Sequence, residues 1–136
     1  MSKYFSYKEM VYSEVANAYS LSNMPESLEV YKNLDFLMVM ILDPIREAVK
    51  MPIKVNSGYR CPRLNEIIGG VPNSQHLKGE AADITTDSNL DNQRILRYIQ
   101  DSGLVFDQVI VYPHYSFIHI SVKRCGQNRC EIIYKR

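Results

Sequence analysis

The strongest pattern in the chain is one long apolar stripe. Tyr31, Leu34, Leu37, Met38, Ile41, Leu42, Ile45, Ala48 and Val49 recur at the three-and-four spacing of a helix with one buried face. Pro44 lies inside this pattern and predicts a kink or a split, because its ring removes a backbone donor and crowds the preceding turn. The pattern ends before Met51-Pro52. Upstream, Ser6-x-x-Glu9 reads as a capping box opening a first helix to about Tyr19. Leu21 to Glu26 reads as a turn, with Pro25 at a helix start.

Downstream the period changes. Ile53 to Ser57 alternates and predicts a strand, followed by a loop at Gly58-Tyr59-Arg60-Cys61. Pro62 to Ile68 reads as a short helix closed by Gly69-Gly70. Val71 to Gly79 is a predicted loop and Ala81 to Thr85 a short apolar strand. Ser88 is placed to cap a helix through Gln100, with Leu90, Ile95, Leu96 and Ile99 as its buried stripe and Gly103 at its end. Phe106 to Tyr112 and Phe117 to Lys123 read as strands joined by Pro113-His114-Tyr115-Ser116, and Arg129 to Lys135 as a final strand. Helices come early and most strands late. That order predicts an α+β fold: a small antiparallel sheet with helices packed around it. The 136 residues fit one domain, and a monomer is the expected state.

Charge narrows the function. A net charge of +1 argues against nucleic acid as a partner. The N-terminus MSKYFSYKEMVYSE lacks the apolar run of a signal peptide, and no stretch approaches the roughly 18 apolar residues of a membrane span. Cytoplasmic synthesis is expected, with any export depending on another system. Cys61, Cys125 and Cys130 are then expected as reduced packing or surface thiols. A Cys125–Cys130 bridge after transfer to an oxidising compartment is the alternative.

Two segments stand out chemically. In Ser74-Gln75-His76-Leu77-Lys78-Gly79-Glu80-Ala81-Ala82-Asp83, a histidine in a polar loop precedes an aspartate in an apolar strand. A carboxylate there is costly unless paired or metal-bound. In Phe117-Ile118-His119-Ile120-Ser121, strand alternation puts His119 on the face of Phe117 and Ser121, opposite Ile118 and Ile120. His76, Asp83 and His119 make a sound three-ligand zinc set that leaves a fourth position open, as catalytic zinc sites do. A metal-free reading, with His76 and Asp83 as a buried hydrogen-bonded pair, competes with it.

Ser57-Gly58-Tyr59-Arg60, Asn65 to Gly70, and Ser74-x-His76-x-x-Gly79-x-Ala81-x-Asp83, followed by Phe106-Asp107-Gln108-Val109-Ile110 and Phe117-Ile118-His119-Ile120-Ser121, resemble the zinc D-alanyl-D-alanine carboxypeptidase family. Vancomycin-resistance dipeptidases and phage endolysin peptidases are among its relatives. The resemblance covers roughly Phe5 to Val122 and implies the fold shared with the hedgehog signalling domain. It implies hydrolysis of peptide bonds in bacterial peptidoglycan stem peptides or cross-links. His76, Asp83 and His119 would be the Zn2+ ligands. Arg60 would reach the substrate's terminal carboxylate or the carbonyl beside the cleaved bond, through its planar fork. Ser74 would add a hydrogen bond to the substrate or to the site wall. A surface salt bridge for Arg60 and a turn-stabilising hydroxyl for Ser74 are the plainer alternatives.

The sequence departs from the family where a general base is expected. The residue three before His119 is Ser116, and Val111 and Tyr112 stand where many endolysin-type relatives carry a glutamate. His114, five residues before His119, and Asp107 are the remaining candidates for catalysis. The departure keeps open a second function: a zinc-holding module that binds peptidoglycan or a protein without turnover. Absence of an export signal suits a phage or prophage lysis enzyme released through membrane holes.

Overall fold

The computed structural model describes all residues, Met1–Arg136. The expected first helix is two. Ser6 caps α1 (Tyr7–Val11), its hydroxyl accepting from the Glu9 amide at 3.3 Å. The chain then extends at Ser13, whose hydroxyl accepts from the Ala16 amide at 3.1 Å and starts α2 (Glu14–Ala18). A serine that caps competes with helix continuation. Pro25 does not open the next helix: it is buried in the connecting segment, and Ser27 caps α3 (Leu28–Leu37).

The stripe forms as its spacing predicts. Leu34, Leu37, Met38, Ile41, Leu42, Ile45 and Val49 are buried. Pro44 does not split it, because α3 continues through a π-helical turn at Met38–Leu42 into α4 (Asp43–Val49). The Asp43 amide donates to the carbonyl of Met38, five residues back. The widened turn accommodates a proline ring that would clash with a carbonyl in a regular α-helix. Lys50, at φ 57°, ends the helix.

α5 (Pro62–Ile67) is as expected, and a 3-10 turn at Gln75–Lys78 occupies part of the predicted loop. Helix α6 (Asn89–Asp101) buries Asn92, Ile95, Leu96 and Ile99. Leu90, expected in that stripe, is 69% exposed. It stands two residues from Asn92, and two residues turn about 200° around a helix.

The strands are β1 (Lys54–Ser57), β2 (Ala81–Thr85), β3 (Gln108–Val111), β4 (Ile118–Ser121) and β5 (Glu131–Tyr134), in the order β1-β2-β4-β3-β5. The class is α+β, and β1, β2, β4 and β3 pair antiparallel. The fully antiparallel expectation needs correction at β5, which runs parallel to β3. Both edges of β4 are already taken, by β2 and β3. The chain leaves β4 at Ser121, level with the start of β3, and the connection through 122–130 re-enters at that same end. The free edge of β3 then receives it in parallel.

Strand alternation divides the sheet. Ala82, Ile84, Val109, Val111, Ile118 and Ile120 join the helices in one cluster of 22 buried residues. The other face carries Asp83, Gln108, Ile110, Tyr112 and His119. No helix is long and apolar enough to cross a membrane.

Candidate metal centre

The face turned away from the helices floors a cleft of about 550 Å³. At its middle, β2 and β4 pair with Asp83 directly opposite His119. His119 Nδ1 lies 2.8 Å from Asp83 Oδ1, and His76 Nε2 approaches the same oxygen at 3.5 Å. One donor atom from each of the three residues lies within 4.8 Å of the others. Two imidazole nitrogens and a carboxylate oxygen fit a divalent transition metal with a position left for substrate or water.

The loop around His76 is built to aim it. Ser74 caps the 3-10 turn, its hydroxyl accepting from the His76 amide at 3.2 Å. Gly79 follows at φ +74°, and a Cβ there would stand 2.9 Å from the Val30 carbonyl of α3. His76 Nδ1 is 2.6 Å from the Gly58 carbonyl. A carbonyl only accepts, so Nδ1 carries the proton and the Nε2 lone pair faces Asp83. Gly58 is itself pressed under α1, and the adjacent Tyr59 amide donates to the Met10 carbonyl at 2.7 Å.

Asp83 is 9% exposed. Burial works against its ionisation, but the hydrogen bond with the His119 side chain and the close approach of His76 outweigh it, holding the carboxyl far below the usual carboxylate range. Arg60 lines the same cleft. Its Nε donates to Ser57 Oγ at 3.2 Å and its Nη1 to Asn65 Oδ1 at 3.3 Å, while Nη2 lies 3.7 Å from Asp83 Oδ2. Burial pulls the guanidinium below its ordinary pKa, and Asp83 opposes that shift.

His76, Asp83, His119, Arg60 and Ser74 are thus brought together, and Ser74 has a turn-stabilising bond as well as a place on the cleft wall. Asp107 also lines the cleft, but fully buried and engaged. Its Oδ1 accepts from the Arg129 amide at 3.0 Å and from Nε at 3.1 Å, and its Oδ2 accepts from Nη2 at 2.8 Å. The hydrogen bond from the Arg129 side chain, against the opposing effect of burial, keeps its carboxyl below the usual range. A carboxylate so held scaffolds the loop before β5 and is a weak proton acceptor. His114 stands apart: it is exposed, at φ 60° in the turn Pro113–Tyr115, outside the cleft lining.

The chain matches the model of the Peptidase M15 family over residues 3–121. It belongs to that family. No curated protein matches the chain. Within this M15 peptidase, Asn65 and Asn23 are structural members of the site that sequence reasoning left without a role. Asn65 holds Arg60 and donates to the Val71 carbonyl at 2.9 Å. Asn23 donates to the carbonyls of Val11 and Tyr59 and accepts from the Cys61 amide at 2.7 Å. Asn65 opens the Asn65 to Gly70 segment that resembles the family. Asn23, in an expected turn, carried no local signal. The three cysteines are free thiols, with Cys125 and Cys130 exposed.

Proposed function

We propose that this M15 peptidase is a zinc enzyme that hydrolyses peptide bonds of peptidoglycan stem peptides or cross-links. One observation carries the reading: His76, Asp83 and His119 turn donor atoms toward one point on the floor of an open cleft, beside a guanidinium. A zinc ion held by these three residues supplies Lewis-acid activation of a water and of the scissile carbonyl. The chain's residues do the rest. Arg60, aimed by Ser57 and Asn65, orients the substrate through its terminal carboxylate or the carbonyl beside the cut bond. Ser74 contributes a wall hydroxyl. His76 stays fixed in one tautomer by Gly58, and His119 by its place in the sheet.

His114 is the candidate for proton transfer, and it reaches the metal set only by a movement of its exposed turn. Its turn joins Tyr112, which lines the cleft, to the strand bearing His119, and its imidazole has no hydrogen-bond partner within the protein. Catalytic hydrogen bonds commonly form only once substrate is bound. Release through a phage or prophage lysis system remains part of this proposal.

A second reading, a zinc-holding module without turnover, is favoured by the state of the carboxylates. Asp83 belongs to the metal set, Asp107 is paired with Arg129, and Glu80 accepts from Gln75 at 3.3 Å. Incubating the purified chain with peptidoglycan, with and without a chelator, separates the two. Zinc-dependent release of new amino groups supports the enzyme. Sedimentation with the sacculus but no release supports the module.

A further inference from the structure

The whole chain is nearly neutral, with 16 basic and 15 acidic residues. The cleft is not. Arg60, Lys78, Lys123, Arg129 and Lys135 line it, against the carboxylates of Glu80, Asp83 and Asp107. Arg60 and Arg129 account for their charge on Asp83 and Asp107. Lys78 and Lys135 have no carboxylate within salt-bridge distance, and Lys123 stands 3.9 Å from Asp107, whose two oxygens Arg129 already occupies. Five cations thus face three carboxylates, an excess of two positive charges carried by the three lysines, none of which has a carboxylate to itself.

Their placement is ordered. The Val122 amide donates to the Glu80 carbonyl at 2.9 Å, and Asn33 joins the Lys78 carbonyl to the Arg124 guanidinium. These bonds tie residues 78–80 to residues 122–124, so Lys78 and Lys123 share one end of the cleft. Lys135 is at the other end. Its amide donates to the Val111 carbonyl at 2.8 Å, and its ammonium lies 5.2 Å from the Tyr112 ring centroid. His119, in the middle of β4, lies between them. At ~3.3 Å per extended residue, each end falls within about two or three peptide residues of the metal triad.

We propose that the cleft selects peptides with free carboxylates on both sides of the bond to be cut, Lys78 and Lys123 reading one side and Lys135 the other. The inference rests on the peptidase reading and specifies its substrate class: acidic stem peptides, in preference to the same peptides with amidated carboxylates. Lysine suits this task, because a compact ammonium on a flexible stem accepts a carboxylate in many positions. Reach into the cleft replaces the rigid fork that Arg60 supplies at the reacting bond.

The test uses the full chain loaded with zinc and two synthetic cross-link peptides, each with one side carboxylate before the D-alanyl bond to be cut and one after it, free in the first peptide and amidated in the second. The readouts are KM and kcat by mass analysis of products, and binding of each peptide by calorimetry. The protein is expected to prefer the acidic peptide by about tenfold in KM, a modest effect because the lysines are partly solvated, and the preference should shrink as salt screens it. Lys78→Gln with Lys123→Gln, and separately Lys135→Gln, should reduce that preference, whereas Lys8→Gln on α1 should not. Equal handling of the two peptides, or a preference that survives in the lysine variants, overturns the proposal. If neither peptide is cut, the peptidase reading fails, and calorimetry decides the selectivity alone. Tighter acidic-peptide binding lost in the lysine variants supports it, and equal binding overturns it.

Discussion

Replacing Gly58 by alanine should cripple both stability and metal uptake. The added Cβ would stand 2.3 Å from the Met10 carbonyl oxygen, where ordinary contacts begin near 3.4 Å. The obstacle is backbone, so α1 and the segment after β1 must part by about 1 Å, an overpacking that costs ~1–3 kcal/mol. That displacement stretches the 2.7 Å bond between the Tyr59 amide and the Met10 carbonyl, adding ~1 kcal/mol. For a domain of this size each kcal/mol moves Tm by roughly 3–5 °C, so a fall of about 6–20 °C is expected in the metal-free protein. The Gly58 carbonyl also sets the tautomer of His76, and loss of such support weakens metal affinity by about 10–100-fold. The assay is a thermal melt without metal together with a competitive zinc titration. Gly103→Ala is the control. That glycine has φ +74° and nothing within 4 Å of a Cβ, so the substitution should cost only ~1 kcal/mol of left-handed strain and leave zinc affinity alone. A Gly58→Ala protein with unchanged Tm and unchanged affinity would refute the reasoning.

Zinc at a hundredfold excess over its Kd should raise stability by about 2.7 kcal/mol by mass action; Asp83→Asn should abolish that gain, as read by melts with and without chelator. His114→Ala should leave zinc uptake intact while lowering turnover by about 10²-fold or more if it carries the proton; unchanged kcat on muropeptides would exclude it. Asp107 has a depressed carboxyl pKa in the fold, so its stabilising contribution is present above the unfolded value of about 3.9 and is lost as pH falls through the lower folded value. Asp107→Asn should therefore destabilise the protein by ~1–3 kcal/mol near neutrality, and the difference from wild type in denaturant melts should narrow below about pH 4. Asn65→Ala should free the Arg60 guanidinium and reduce kcat/KM with zinc content unchanged, and loss of zinc instead would show that Asn65 supports the metal loop.

The apolar stripe from Leu34 to Val49 and the face that His119 takes were legible from sequence, and the resemblance to a known family named His76, Asp83 and His119 as one set. Side-chain period and the cost of burying a carboxylate are local properties, and a strand's alternation settles which face a residue takes. What the sequence left open came from contacts distant in the chain. Nothing local separates Asp107 as a base from Asp107 as an anchor, since that depends on Arg129 arriving on a loop 22 residues later. The parallel entry of β5 depends on which sheet edge is free, and the accommodation of Pro44 depends on a π turn in a buried helix. Asn23 and Asn65 acquired roles only when three segments converged on the Arg60 loop. The sequence alone thus determined the class of fold, which follows from residue type and period, while it pointed to His76, Asp83 and His119 as a metal set through the family resemblance rather than through their spacing. The tertiary structure decided which polar groups are free and which are already engaged, because hydrogen-bond partners are chosen in space.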